Sequence, residues 1–305
     1  MESFSESVAR PSISVVICAF NEALTIESLV RALAKQKSTE NNIIEIICVA
    51  SGCTDDTVPI LQRLCGELPE LVLIVQPERT GKAGAMSIGL LRATGRVIVV
   101  ENADTVPSKC FVRQITAPFL DPRVGLVCAR PVPANTENSW AVALGLTLWN
   151  VHDQVSRKAP NAGEAMAFRG PGFRIPKGVS DDDAYIGHHT LEGGGRSVYS
   201  PEAVVYNRVP TTIPEYLRQR FRIHRQSLQL LRLTGKRTST KTVGYAIPAI
   251  GRAFRRNPDR WFSLIAFTWL EITLRVLALV ALLHPGNDYS VWEPIQSTKL
   301  PIRPS

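Results

Sequence analysis

Strands alternating with helices over the first hundred residues, polar groups at four consecutive strand ends and a late apolar segment predict an α/β protein. The expected architecture is a mostly parallel sheet flanked by helices, followed by amphipathic and hydrophobic helices. Residues 13–20 (ISVVICAF) are an unbroken apolar, β-branched run, as in a strand buried on both faces, and Asn21-Glu22 ends it. Leu24, Ile26, Leu29, Val30 and Leu33 then recur at helical spacing. Residues 43–50 predict a second strand, broken at Ser51-Gly52-Cys53-Thr54-Asp55, where Thr54 or Asp55 is placed to cap the helix carrying Val58, Leu61 and Leu64. Residues 71–75 and 97–100 predict the third and fourth strands, with an Ala/Gly-rich helix at 83–93 between them. Further on, 124–129, 165–169 and 197–199 read as strands and 141–153 as a helix. A long amphipathic helix begins near Pro214, a residue suited to a first turn.

In such sheets ligands bind beyond the carboxyl ends of the strands. Asn21-Glu22, residues 51–55, residues 79–82 and residues 102–104 occupy those places, which favours one shared crevice. Arg79-Thr80-Gly81-Lys82 precedes a helix: Gly81 permits close backbone approach, and Arg79 and Lys82 add positive charge near a helix N-terminus, as a diphosphate prefers. It is not a Walker A loop, because the Lys-Ser/Thr pair is absent. Asp104 follows a buried strand and is placed to hold a hard divalent cation, Mg²⁺ or Mn²⁺, with Asn102 as a neutral, weaker partner. Residues 180–185 concentrate Asp181, Asp182 and Asp183, whose mutual repulsion raises at least one pKa toward the range of a general base; taken alone, an Asp-rich helix start explains them better. Arg220, Arg222 and Arg225 are placed to meet a departing diphosphate, and His188 and His189 follow the acids.

The ordered motifs resemble family 2 glycosyltransferases of the GT-A fold over residues 12–230. Phe20-Asn21-Glu22 is similar to the opening P-x-x-N-E segment, and residues 51–57 to the D-G-S-T-D-x-T loop. Arg79-x-Gly81-Lys82-Ala83 is similar to R-x-G-K-A, Asn102-Ala103-Asp104 to D-x-D, Asp182-Asp183 to the acidic pair holding the base, and residues 219–223 to Q-x-x-R-W. The resemblance implies an inverting transfer from a nucleoside-diphosphate sugar to a lipid-linked or saccharide acceptor, with Asp183 as the base and Asp182 its neighbour. It assigns Glu22, Ser51, Asp55, Arg79, Lys82, Asn102, Gln219 and Arg222 to the donor and Asp104 to the metal. Three positions depart from the pattern. Asn102 replaces an aspartate and removes a negative charge from the metal–diphosphate site, Ala50 and Ser51 stand where many relatives read the base with acids, and Ile223 replaces a tryptophan. A sugar nucleotidylyltransferase would carry a glycine-rich Arg/Lys loop after the first strand, where Asn21-Glu22 stands; an inactive saccharide-binding relative is the non-enzymatic alternative.

Composition fits a folded protein: of 305 residues 45% are apolar and 20% charged, which excludes a disordered chain. The six cysteines are scattered singly and predict reduced thiols in a cytosolic compartment; the polar first ten residues predict no signal peptide. The net charge of +8 gathers in a block from Arg218 to Arg260. That block leads into the apolar residues 261–283, which favours a membrane over nucleic acid as partner and sets the cytoplasmic face of the cell membrane as the expected location. About 23 residues suffice to span a bilayer, but Glu271 and Arg275, four apart and able to pair, are costly there; a spanning, an interfacial and a buried helix all stay open. The expected units are a GT-A domain at 11–215, a basic amphipathic segment at 216–260, a hydrophobic helix at 261–283 and a tail at 284–305. The tail's Trp292 segment resembles one that follows the membrane part of some exopolysaccharide-type relatives, beside their active site.

Overall fold

Four apolar runs become β1 (Ile13–Ala19), β2 (Ile43–Ser51), β3 (Leu71–Gln76) and β4 (Val97–Asn102), paired in parallel with β1 between β2 and β4. A computed structural model describes residues 11–38, 41–235, 261–282 and 294–302, with 248, 250–252 and 255. The expectations placed on Lys236, Arg237, Lys241, Arg256, Arg260 and Trp292 lie outside the described residues. Three further strands are β6 (Val124–Pro133), β7 (Ala165–Arg169) and β8 (Arg196–Asn207), and a two-residue β5 (Val106–Pro107) completes an eight-stranded mixed sheet in the order β3-β2-β1-β4-β7-β6-β8-β5. β7 runs antiparallel to both β4 and β6, and β8 is far longer than the three residues expected.

Successive residues along β1 face opposite sides of the sheet, and each side receives its own helices. Val15 and Ile17 pack with α1 (Ile26–Ala34), α2 (Thr57–Glu67) and α4 (Phe111–Thr116). Val16 packs with Met86 and Leu90 of α3 (Lys82–Arg92) on the other side, where Ile186 of α6 (Asp182–Thr190) joins them. Each fully buried Leu or Ile side chain of this kind stabilises by about 1.5–3 kcal/mol. α4 escaped sequence reading because one and a half turns give too short a period to detect.

A third cluster joins α5 (Trp140–Ser156), α7 (Ile213–Thr234) and α8 (Trp261–Ala281) through Leu144, Val151, Tyr216, Leu264 and Phe267. α7 starts where Thr212 Oγ1 accepts the Glu215 N–H, with Pro214 in its first turn, and ends at Gly235, whose φ of 71° suits glycine. Glu271 in α8 does not pair with Arg275. Its carboxylate accepts from Arg220 Nε at 2.8 Å and Nη2 at 2.9 Å, and meets His224 Nε2 at 3.0 Å. Arg220 therefore serves the helix packing and is spent on Glu271, because α7 turns this basic face onto α8.

Removing one member of a buried ion pair strands the other, at a cost of about 3–5 kcal/mol, whereas an apolar pair of similar volume is often neutral. Glu271→Ala is expected to lower the melting temperature sharply. Arg220→Met combined with Glu271→Leu recovers most of it, read by thermal unfolding of the three proteins side by side.

Candidate functional site

The sheet's strand order reverses at β1, and the carboxyl ends of β1, β2 and β4 open there into a cavity of about 790 Å³. Glu22 just after β1, Ser51 at the end of β2, Arg79 before α3 and Lys82 at its start, Asn102 at the end of β4 and Asp104 just after it, Asp182 and Asp183 from α6, and Gln219 and Arg222 from α7 all line it. Asp55 does not. Its carboxylate accepts the Ala23 N–H at 3.1 Å, the Thr57 N–H at 3.0 Å and the Thr57 hydroxyl at 2.5 Å, so it holds the first residue of α2 and ties two loops together. Arg225 is also absent from the lining, while His188 lines the cavity and His189 packs at 4.1 Å from the Phe173 ring.

Backbone geometry sets the cations. Gly81 has a φ of 82° and starts α3, so Lys82 sits in its first turn. Gly52, at φ 64°, comes so close to Arg79 that a Cβ there would lie 2.8 Å from the Arg79 nitrogen. The Arg79 guanidinium in turn lies 3.7 Å from the centre of the Phe20 ring, a cation–π contact that fixes its direction.

Lys82 Nζ lies 3.1 Å from Asp182 Oδ2 and 3.2 Å from Asp183 Oδ1. Burial works against the ammonium, but the two aspartates outweigh it and hold Lys82 above the usual lysine range. Asp183 is pushed up to about 7 by burial, with Lys82 opposing and Asp182 adding to the rise. The Asp182 side chain is 5% exposed and that of Asp183 27%, so Asp183 is the carboxylate an incoming molecule can reach.

At the other wall Asp104 is raised by burial, with Lys299, Lys82 and Arg222 pulling the other way. Burial and then Asp104 push Glu22 up to about 7, and the same causes, in the same order, raise Glu164. Burial lowers Arg222 to about 10, against the attraction of Asp104, Glu164 and Asp182. The excess of buried carboxylate oxygen around Asp104 suits Mg²⁺ or Mn²⁺. Among the described residues no cluster of three or more ligating side chains is preassembled, so phosphate oxygens and waters would complete the set. Ser51 Oγ is buried at the same cavity with no hydrogen-bond partner, a polar group left for a ligand.

Lys299 and Glu164 were not singled out from sequence. Lys299 Nζ donates to Glu22 Oε1 at 2.6 Å and to the carbonyls of Phe20 at 2.5 Å and Asn21 at 3.0 Å, so the segment after α8 returns to the cavity. The tail's resemblance was a signal for the segment, though not for the residue. Glu164 enters from the amino end of the antiparallel β7, where a search of parallel strand ends does not look.

Comparison with known proteins follows the same lines. The model of glycosyl transferase family 2 matches residues 14–175, and that of glycosyl transferase family group 2 matches 97–286. An N-acetylglucosaminyltransferase of Rhizobium sp. (strain N33) is 25% identical over 240 residues, 72% of this chain and 53% of its own length. One from Sinorhizobium fredii is 22% identical over 244 residues, 73% of this chain and 59% of its own. The chain thus spans little more than half the length of these curated relatives. A mannosyltransferase of Pyrobaculum calidifontis, solved with GDP-Man and Mn²⁺, superposes with a TM-score of 0.59 at 23% identity over 92% of this chain and 77% of its own. GalNAc-T7 with UDP, GalNAc and Mn²⁺ gives 0.50 at 16% identity, over 65% of this chain and 43% of its own. Both structural likenesses concern the GT-A fold.

The Lys299–Glu22 pair makes a pH-dependent prediction. Glu22, at about 7, is mostly protonated at pH 6 and mostly ionised at pH 8, so the attraction of Lys299 is present above its pKa and fades below it. Lys299→Met is therefore expected to lower the melting temperature more at pH 8 than at pH 6; an equal loss at both would contradict the pairing.

Proposed function

The chain belongs to glycosyl transferase family 2, and from that premise we propose that it transfers a sugar from a nucleoside-diphosphate donor to an acceptor hydroxyl, with inversion, in the cavity described above. The observation that carries this reading is the joint opening of Asp104, Lys82 and Asp183 onto one cavity. Arg79, Lys82, Arg222 and Lys299 supply positive charge for the diphosphate, and Ser51 and Gln219 offer polar groups to the nucleotide. Asp104 would hold the cation, with Asn102 beside it. When bound, Mg²⁺ or Mn²⁺ adds positive charge where the diphosphate leaves. The solved neighbours, which hold GDP-Man or UDP together with Mn²⁺, support testing that pair of metals first.

Asp183 takes the proton from the acceptor hydroxyl, and the oxygen attacks the anomeric carbon from the face opposite the diphosphate. As the new bond forms, the bond to the leaving phosphate oxygen breaks, and the preorganised cations meet the charge that develops. Asp182, held by Lys82, keeps α6 in place and sustains the high pKa of its neighbour. The acceptor class is a lipid-linked or growing saccharide.

We further propose attachment at the cytoplasmic face of the cell membrane through α8 lying in the interface. One side of α8, with Leu264, Phe267, Glu271, Leu274 and Ala278, is buried against the protein. The other presents Trp261, Phe262, Ile265, Trp269, Ile272 and Val276 to the outside. A helix held by its middle to the domain, with the next described segment back at Glu22, favours lying along the bilayer surface over crossing it.

Three measurements follow. With a panel of nucleotide sugars headed by the N-acetylglucosamine donor suggested by the curated relatives, and Mn²⁺ or Mg²⁺ present, Asp183→Asn should lose about 10²–10⁴-fold in turnover while donor binding persists; unchanged turnover removes Asp183 as the base. The wild-type rate should rise with pH through about 7 and level off above it, since the ionised carboxylate is the active form. Ile265→Glu with Trp269→Glu should abolish co-sedimentation with anionic vesicles while leaving donor binding in detergent intact.

A further inference from the structure

Asn102 and Glu164 are cross-strand neighbours. The antiparallel pairing of β4 with β7 sets Glu101 opposite Ala165, so the next step of the ladder brings Asn102 to Glu164, and the Asn102 N–H donates to the Glu164 carbonyl at 3.1 Å. Their side chains meet as well. Asn102 Nδ2 donates to Glu164 Oε2 at 2.5 Å, and Asn207 Nδ2 donates to Oε1 at 2.9 Å. Glu164 is thus fixed by an amide on each oxygen, and it lines the same cavity as Asp104.

Position 102 carries an amide where the resemblance to D-x-D implies an acid. An aspartate restored there would place two carboxylates directly opposite each other at hydrogen-bonding distance, an arrangement of like charges that is destabilising. An amide at 102 and an acid at 164 are therefore a matched pair: each makes the other tenable. Glu164 and Asp104 feel each other's charge, and Arg222, which lines the same cavity, is attracted by both.

We infer that Glu164 supplies the second negative charge of the Asp104 site, transferred across the sheet from position 102, and that Asn102 holds it in position for the cation–diphosphate pair. Glu164 is a positioning residue here, acting through charge and through Asn102. The inference rests on the cation reading given under the proposed function.

The test uses Mn²⁺ binding with UDP or GDP as the probe, read by the electron paramagnetic resonance signal of free Mn²⁺, together with metal-free thermal melting. Glu164→Gln should weaken Mn²⁺ binding by about tenfold to a hundredfold, the usual scale for groups that support a metal ligand. Asn102→Asp alone should lower the metal-free melting temperature, and added Mn²⁺ should recover more of it than in the wild type. The exchanged pair, Asn102→Asp with Glu164→Gln, should restore Mn²⁺ affinity to within about threefold of wild type, well inside the loss expected of the single variant. A folded Glu164→Gln protein with wild-type Mn²⁺ affinity overturns the inference alone, as does an exchanged pair no better than Glu164→Gln. A wild-type chain that binds no Mn²⁺ with either nucleotide overturns the cation reading and this inference with it.

Discussion

Lys82 is the pin of one wall of the cavity. Its ammonium sits between two carboxylates of a helix 101 positions further along the chain, within 3.1–3.2 Å of both. At an effective dielectric constant near 20, a unit pair at that separation attracts by about 5 kcal/mol, much of it offset by the cost of desolvating the ions. The net gain matters less than the geometry. Without a cation between them, Asp182 and Asp183 at the start of α6 would repel, and the helix would have no charge to dock against on the sheet side. The same cation opposes the rise that burial imposes on Asp183, which stands at about 7.

Charge balance shapes the opposite wall by a different route. Asp104, Glu22 and Glu164 share this wall, and each is raised chiefly by its burial; Asp104 adds to the rise of the other two, while Lys299 opposes that of Asp104 and Glu22. Arg222 and Lys299 arrive from elements that follow the sheet in sequence, so the site becomes electrostatically tenable only when α7 and the segment beyond α8 are in place. This explains why a helix with a strongly apolar outer face is bound so firmly into the domain. The buried Arg220–His224–Glu271 cluster orients α8 on α7, and α7 carries Arg222 and Gln219 into the cavity two positions and one position away from Arg220. The exposed apolar face of α8 and the cavity thus border one helical layer.

Much of the cavity's strand-end wall was legible because parallel sheets impose a rule. Uninterrupted runs such as residues 13–19 mark strands buried on both faces, and whatever polar groups end them must gather at one edge. That rule found Glu22, Ser51, Lys82 and Asp104 without coordinates. It misplaced Asp55, since a carboxylate two residues before a helical N–H is captured locally by Thr57 before it can serve a distant pocket. It also missed Glu164, which sits just before an antiparallel strand. For Glu271, i,i+4 spacing offers Arg275 as a possible partner, while packing supplies Arg220.

The amino-acid sequence by itself determined the strand–helix order, the edge of the sheet where ligands gather, and the residue types present there, because these follow from local periodicity and from the alternation of faces. Tertiary structure alone decided which charges neighbour which: Lys82 with Asp183, Asn102 with Glu164, Lys299 with Glu22, Arg220 with Glu271. Local pattern fixes where a side chain stands on its own element. The pairing of buried charges is settled by how the elements dock, since a buried carboxylate is tenable only where docking brings a donor or a cation to it.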